Sequence, residues 1–373
     1  MGRRNKALLL ASLLLLGIAL VAIVVAGCGS GTTATTATTA AAPATTAAAP
    51  ATTAATTATT ATSASSDTTA ASTATTVAGK KYKIIYVSWS MSSVKSNEQY
   101  AGMQEVAKKN GWDLSAMDAQ GQPDKLVPLI QDAVQTSPDV VITEVFPPSQ
   151  IAAAAQAAKA KGIPIISLGG GLGDGVEAFW DDGIPFGAAV ADEMIKTAGN
   201  KGNILLFGYS PGAPATNREK GFRDELTKVG ANFTIDRQEI PVPGEVEAGL
   251  KFAQAWLTAH PKGGGTYDIF GTWDEPAIGS LSARRQMGRT DVYVYGIDGS
   301  PQGFQAIKDG TMTGTVWTDP QKVGTDCAEA IPQIVANGVA GDKTMHVMET
   351  NIMVTKDNVD QIIKDHPYVM GSQ

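Results

Sequence analysis

Aromatic and acidic side chains stand directly after the apolar runs of this 373-residue sequence. Four of its six tryptophans lie at such positions, with carboxylates beside them. Tryptophan faces stack on the apolar faces of sugars, carboxylates accept hydrogen bonds from hydroxyl groups, and the same side chains can surround a cation. They predict a small-molecule site for a sugar, a polyol or a cationic amine. The candidate residues are Trp89, Glu144, Trp180, Asp182, Trp273, Asp274, Asp298 and Thr318.

One motif would suit a hydrolase instead. Residues 208–212 (GYSPG) match the G-x-S-x-G pattern of a nucleophilic serine, and the three histidines of the chain all follow Ser210. Pro211, however, stands where a backbone N–H would stabilise the oxyanion, and proline has no N–H. The sequence therefore predicts a protein that is not an enzyme, and a serine hydrolase using Ser210 remains as an alternative.

The sequence does not match the motifs that we considered for binding cofactors, metals or nucleic acids. The glycine-rich stretch 169–175 (GGGLGDG) does not follow the G-x-G-x-x-G pattern, and the histidines form no cluster with each other or with cysteine. The net charge of −7 argues against a partner held by its phosphates. We therefore predict no cofactor, no metal and no nucleic-acid partner.

The elements that would position the candidates alternate along the chain. Short apolar runs separate amphipathic stretches with helical spacing, which is typical of a parallel sheet covered by helices on both faces. In such α/β sheets ligands bind beyond the carboxyl ends of the strands. The predicted strands are 83–88, 139–143, 163–168, 203–207, 267–271 and 292–297, and the predicted helices include 97–109, 150–161, 187–198, 217–229, 245–259 and 276–287.

The first 80 residues differ in composition from the rest. Three basic residues precede an apolar run over 7–26, which ends in Val25-Ala26-Gly27-Cys28. This pattern resembles the bacterial lipoprotein signal, which implies that residues 1–27 are a signal peptide and that Cys28 carries lipid. Residues 28–80 are rich in Thr and Ala and contain no aromatic residue, so we predict a disordered tether. An uncleaved transmembrane anchor is the alternative.

The cysteine count agrees with this interpretation. If Cys28 carries lipid, Cys327 is the only cysteine left, and no intramolecular disulfide can form. Cys327 lies in an apolar pattern with helical spacing, so we expect a small buried hydrophobic residue there.

Residues 82–355 resemble the periplasmic sugar-binding proteins of the ribose-binding type, whose landmarks recur here in order. The segment 272–279 (TWDEPAIG) resembles N-D-E-x-A-x-G, and 295–299 (YGIDG) resembles V-G-F-D-G. The other matched segments are 218–222 (REKGF) for R-x-x-G-F, 162–166 (GIPII) for a helix-to-strand corner, and 181–187 for S-D-N-x-x-x-G.

The resemblance implies the type I periplasmic binding protein fold, in which two doubly wound parallel-sheet lobes are joined by a three-segment hinge. It places lobe one at 82–181 plus 319–347 and lobe two at 182–318 plus 348–373. The residues that it carries over as ligand contacts are Ser93, Glu144, Arg218, Trp273, Asp298 and Thr318. The sequence departs from the family where Lys95 and Ser96 replace paired phenylalanines and where Gly169-Gly170 replaces Asp-Arg.

We therefore predict the substrate-binding lipoprotein of an ABC importer. It would close around a small hydroxylated solute, a sugar or polyol, and deliver this solute to a membrane permease. We expect a monomer on the extracytoplasmic face of the cell membrane. The alternatives are a ligand-sensing lipoprotein that serves a chemoreceptor or kinase, and a binder of a cationic amine.

Overall fold

A computed structural model describes residues 79–371 of the chain. The predicted signal peptide, Cys28 and nearly all of the predicted tether lie outside these residues. The strands are β1 (Lys83–Ser88), β2 (Asp113–Asp118), β3 (Val140–Glu144), β4 (Ile165–Leu168), β5 (Ala178–Asp181), β6 (Lys201–Gly208), β7 (Asn232–Glu239), β8 (Tyr267–Gly271), β9 (Val292–Asp298), β10 (Gly314–Trp317), β11 (Met345–Met348) and β12 (Ile352–Thr355). The α-helices are α1 (Val94–Asn110), α2 (Pro123–Gln135), α3 (Pro148–Ala160), α4 (Ile184–Ala198), α5 (Ala213–Lys228), α6 (Glu245–Ala259), α7 (Asp274–Gln286), α8 (Pro301–Lys308), α9 (Pro320–Asn337) and α10 (Val359–Asp365).

The strands form two six-stranded sheets with the same winding. The first sheet has the order β11-β5-β4-β3-β1-β2 and is parallel throughout. The second has the order β12-β10-β9-β8-β6-β7, and only its edge strand β12 runs antiparallel. Helices cover both faces of each sheet. The predicted α/β class with two parallel-sheet lobes is confirmed.

The six predicted apolar runs all fall in interior strands of these sheets. Strand β3, for example, is buried along its whole length, as expected for a parallel strand covered on both faces. The edge strands β2 and β7 did not stand out in the sequence, because most of their residues are exposed or half-buried and no continuous apolar run results.

Hydrophobic cores lie on both faces of each sheet. Cys327 belongs to the core beneath α9 and is fully buried, as we expected. Burial raises the pKa of its thiol well above the usual range, which keeps it protonated. Among residues 79–371, no helix has both the length and the hydropathy needed to cross a membrane.

The chain passes three times between the lobes. Helices α1, α2, α3 and α9 pack on the first lobe, and α4 to α8 with α10 belong to the second. The crossings therefore fall between β5 and α4, between β10 and α9, and between β11 and β12. These three segments form the hinge. The residue boundaries that we predicted for the two lobes stay a prediction.

Candidate ligand-binding site

A cavity of about 180 Å³ lies between the carboxyl ends of the two sheets. In each sheet the order reverses at one strand, β1 in the first and β6 in the second. Residues that follow β1 and β6, and the strands beside them, supply much of the cavity wall. This is the place where doubly wound sheets bind their ligands.

Arg218 forms the base of the cavity on the side of the second lobe. Its Nη2 atom donates hydrogen bonds of 2.7 Å to Asp182 Oδ2 and of 2.7 Å to Asp298 Oδ1. Its Nη1 atom donates to the carbonyl oxygen of Thr272 at 2.8 Å. Helix α5 brings Arg218 there by packing closely on α4. A Cβ atom on Gly187 would lie 1.8 Å from the Arg218 carbonyl oxygen, so only glycine permits this contact.

Lys95 reaches the same carboxylates from the first lobe. Its Nζ atom donates to Asp182 Oδ2 and, at 3.3 Å, to Glu349 Oε2. Burial by itself would raise the pKa of Asp182, but Lys95 and Arg218 together lower it to about 2. We name Lys95, Asp182, Arg218, Asp298 and Glu349 the hinge cluster, because they join both lobes at two of the crossings.

Glu144, the last residue of β3, is 4% exposed and opens onto the cavity. Three donors converge on its Oε1 atom: the hydroxyls of Ser88 and Ser96, each at 2.8 Å, and the backbone N–H of Trp89 at 2.6 Å. Burial raises the pKa of this carboxyl, and the donors act in the opposite direction. The bonds hold Glu144 in place and leave its other oxygen, Oε2, to the cavity.

Aromatic rings from both lobes close the cavity on another side. The Tyr209 ring lies between Trp89 and Trp273, with centroid separations of 5.8 Å and 6.2 Å. Trp89 also packs edge-on against Phe146 at 5.0 Å. Because Trp89 belongs to the first lobe and the other two rings of the row to the second, the row joins the lobes.

Direct hydrogen bonds between the lobes show a closed arrangement. The backbone N–H of Ala213 donates to the carbonyl oxygen of Val145 at 2.9 Å. The Gln150 side chain donates to the carbonyl oxygen of Pro211 at 3.1 Å. Val145 has a φ of +71° and Asp298 a φ of +107°, which side-chain-bearing residues rarely adopt. Such backbone strain is concentrated at functional sites of proteins.

Seven of the ten predicted contact residues line the cavity. They come from both lobes and from the first crossing: Trp89, Ser93, Glu144, Asp182, Arg218, Trp273 and Asp298.

The other three predicted residues lie elsewhere, and we correct their assignment. Trp180 lies inside β5 and packs in the core of the first lobe. Asp274 is fully buried at the start of α7, where it accepts hydrogen bonds from the Ser300 backbone and hydroxyl and from Thr315. Thr318 is 1% exposed and donates to Glu349 at 3.0 Å. All three are buried next to the residues that line the cavity and do not line it themselves.

Ser210 has partners unlike those of a nucleophile. Its hydroxyl donates to Glu239 at 2.8 Å and accepts from Arg237 at 3.1 Å. The three histidines make their side-chain contacts elsewhere, with Trp256, Asp181 and Asp319. The arrangement favours binding over hydrolysis at this position.

Several cavity residues were missed in the sequence. Tyr209 directly follows β6, so the rule of strand ends would have found it. Lys95 was noted only as a departure from the family pattern, Glu275 was noted only as part of the segment 272–279, and Gln99 carries no motif of its own. Within residues 79–371, no group of three His, Cys, Asp or Glu side chains is arranged to hold a metal ion.

Comparison with known proteins gives a family match. The family model described as a periplasmic binding protein domain matches residues 84–338. The ribose import binding protein of Salmonella typhimurium is 28% identical over 237 residues, which cover 63% of this chain and 78% of that protein. The xylitol-binding protein of Mycolicibacterium smegmatis is 28% identical over 277 residues, covering 70% and 74% respectively.

The solved structures agree with this match in their fold. An ABC transporter solute binding protein from Agrobacterium vitis with bound allitol superposes with a TM-score of 0.70 at 20% identity. The similarity covers 77% of this chain and 99% of that one. A Bacillus halodurans solute binding protein with bound myo-inositol gives a TM-score of 0.67 at 21% identity, covering 77% and 99%.

Proposed function

We propose that this chain, which belongs to the periplasmic binding protein domain family, is the substrate-binding lipoprotein of an ABC importer. Its ligand is a small hydroxylated solute of the sugar or polyol class. The observation that carries this proposal is the cavity between the lobes, which is lined by aromatic rings, carboxylates and serine hydroxyls. The names of relatives that import ribose or bind xylitol support the same class of ligand.

The ligand contacts divide between the lobes. Ser93 and Glu144 offer oxygens from the first lobe, while Asp298 offers a carboxylate from the second. Trp89 and Trp273 cover apolar faces of the ligand, as aromatic rings do in sugar sites. Arg218 has most of its donors committed to protein oxygens, so it acts mainly by positioning Asp182 and Asp298.

Hinge closure provides the binding mechanism. A ligand that contacts both lobes binds the closed form better than the open form, so it shifts the population toward closure. The bonds from Ala213 to Val145 and from Gln150 to Pro211 form only when the lobes meet. The closed form is then the one that a permease in the membrane receives.

The anchor and the domain boundaries belong to the same proposal. Lipid on Cys28 holds the protein at the extracytoplasmic face of the membrane, and residues 28–80 serve as a tether for a monomeric binding domain. Lobe one comprises 82–181 and 319–347, and lobe two comprises 182–318 and 348–373. The motif that ends at Cys28 supports the anchor.

Mass spectrometry of the small molecules that co-purify with the full chain tests the ligand class. We expect a sugar or polyol that is released on unfolding and rebinds in titration calorimetry. Replacement of Asp298 by alanine should weaken this binding ten- to a hundredfold, since hydrogen bonds to a charged group contribute about 1.5–3 kcal/mol each. Unchanged affinity in Asp298→Ala, or a ligand without hydroxyl groups, would contradict the proposal.

A further inference from the structure

The cavity wall carries more acidic than basic side chains. Five carboxylates line it against two basic side chains. The carboxylates are Glu144, Asp182, Glu245, Glu275 and Asp298, and the basic side chains are Lys95 and Arg218.

Both basic side chains already form ion pairs with carboxylates of the hinge cluster. Arg218 contacts Asp182 and Asp298, each at 2.7 Å, and Lys95 contacts Asp182 and Glu349. Within residues 79–371, Glu144 and Glu275 form no ion pair with any basic side chain. The two cations are therefore shared by three carboxylates inside the hinge cluster, and the carboxyl groups of Glu144 and Glu275 face the cavity without a cationic partner among the described residues.

Two carboxylate oxygens at the wall accept no hydrogen bond from the described part of the protein. Asp182 is 2% exposed, and its Oδ1 atom has no hydrogen-bond partner among the described residues. The three hydrogen bonds to Glu144 all end on Oε1, which leaves Oε2 for a ligand. A hydroxyl group brings lone pairs of its own as well as one proton, whereas an ammonium group brings three donors and no acceptor. An ammonium group therefore matches these two carboxylate oxygens better than a hydroxyl group does.

The pKa of Glu275 reflects the same lack of a cationic partner. Burial, followed by repulsion from Asp298 and Asp274, raises the pKa of Glu275 to about 8. Burial likewise raises the pKa of Glu144. A cation in the cavity would favour the ionised form of both groups and so gain attraction from each.

The other walls suit the rest of such a ligand. Trp89, Tyr209 and Trp273 offer ring faces, which attract a cation as well as apolar C–H groups. Four serines at the start of α1 and just before it, Ser90, Ser92, Ser93 and Ser96, bring hydroxyl groups that pair with hydroxyls of a polyol.

We propose that the ligand of this cavity is a protonated amine on a hydroxylated frame, an amino sugar or an amino polyol, with its ammonium group between Glu144 and the ring of Trp89. The proposal rests on the function proposed above and narrows its substrate class. Glu144 binds the ammonium group, and Glu275 adds attraction from the opposite lobe once the bound cation favours its ionised form.

Titration calorimetry with matched pairs of probes tests it on the full chain extracted in detergent and freed of bound ligand. The pairs are glucosamine with glucose, galactosamine with galactose, and 1-amino-1-deoxyglucitol with sorbitol. At pH 6.5 we expect the amine of at least one pair to bind ten times or more tighter than its neutral partner. Equal affinities, or tighter binding of the neutral partners, would overturn the amine and leave the sugar or polyol function standing.

Choline separates the remaining cases, because it carries a cationic nitrogen with only one hydroxyl group. Binding of choline with no binding of any of the six sugars and polyols would support a cation site and contradict the hydroxylated frame. No binding of any probe would count against both the amine and the proposed function.

The Glu144→Gln variant tests the residue assignment. It keeps the shape of the side chain and removes the charge, so we expect the preference for the amine to fall at least tenfold. Glu177→Gln is the matched control, because Glu177 is a buried glutamate of the first lobe outside the cavity. Glu275→Gln provides a second variant if Glu144→Gln does not fold, and it should reduce the preference about threefold. An amine preference that is unchanged in the folded variants would refute the assignment.

Discussion

Two buried carboxylates in this protein meet opposite environments. Asp182, in the hinge cluster, is 2% exposed and accepts hydrogen bonds from Lys95 and Arg218. Asp268, in strand β8 inside the second lobe, is fully buried, and neither of its oxygens has a partner among the described residues. Burial raises the pKa of Asp268 to about 7, whereas the two cations hold that of Asp182 at about 2 despite its burial.

The difference shows what sets the state of a buried acid. Both groups lose the same water, so desolvation does not distinguish them. The cations beside Asp182 keep it ionised, and this charge is then available at the base of the cavity. Asp268 has no such partner, and its pKa of about 7 leaves a large fraction of it neutral near neutral pH. Asp182 therefore keeps its negative charge beside the cavity.

Removal of Arg218 should have the largest effect on stability. Arg218→Met leaves Asp182 and Asp298 buried with one cation fewer, and loss of one partner of a buried ion pair costs about 3–5 kcal/mol. Urea unfolding of the ligand-free protein at pH 7 measures the change. Arg223→Met is the control, because Arg223 pairs with Glu219 at 2.9 Å while 40% of its side chain is exposed. A loss in Arg218→Met no larger than in this control would contradict our account of the hinge cluster.

Replacement of Asp268 by asparagine should stabilise the protein at high pH. The pKa of about 7 in the folded state lies above the value of 3.8 expected on unfolding, so the contribution of Asp268 to the free energy of unfolding is greatest at low pH and falls as the pH rises between these values. An asparagine side chain does not ionise, so the variant lacks this loss. We expect the variant to gain about 4 kcal/mol at pH 8 and little at pH 4, measured by urea unfolding at both pH values.

The same substitution at Asp182 provides the contrast. Asp182→Asn leaves Lys95 and Arg218 without their shared carboxylate, so it should destabilise the protein at pH 8, where Asp268→Asn stabilises it. Effects of the same sign in the two variants would show that burial alone, rather than the cations, governs both sites.

A smaller effect on stability is expected for Thr318, which contacts Glu349 of the hinge cluster. Thr318→Val keeps the shape of the side chain and removes the hydroxyl that donates to Glu349 at 3.0 Å. A hydrogen bond to a charged group contributes about 1.5 kcal/mol or more, so we expect a loss of that order in urea unfolding. Thr227→Val removes an exposed hydroxyl bonded to the Arg223 carbonyl oxygen and should change stability little. Equal losses in both variants would argue against the need for a hydroxyl donor at Glu349.

The sequence predicted the site where the rule of strand ends applies directly. Trp89, Glu144, Trp273 and Asp298 line the cavity because the carboxyl ends of parallel strands share one edge of a sheet, and their contact with a ligand stays a prediction. The rule failed for Trp180, one position inside its strand. Trp180 therefore lies within the sheet, in the core between the sheet and its helices, and not beyond the carboxyl edge where the cavity lies.

The contacts of other residues around the site could not be predicted from their local sequence. Glu349 lies between β11 and β12, and it reaches Lys95 across a separation of 254 residues. Asp274 was predicted as a ligand contact because it follows β8 closely. Its carboxylate instead joins the loop before α8 to strand β10, through Ser300 and Thr315. Such contacts depend on segments that meet only after the sheets have formed.

The sequence by itself determined the alternation of strands and helices, the buried strands and the edge at which a ligand binds. Each of these follows from the spacing of apolar residues within one short segment. Only the tertiary structure decided which carboxylates stay charged and which oxygens remain free for a ligand. Those properties depend on donors and cations that arrive from distant parts of the chain, and the local pattern around Asp182 or Asp268 does not contain them.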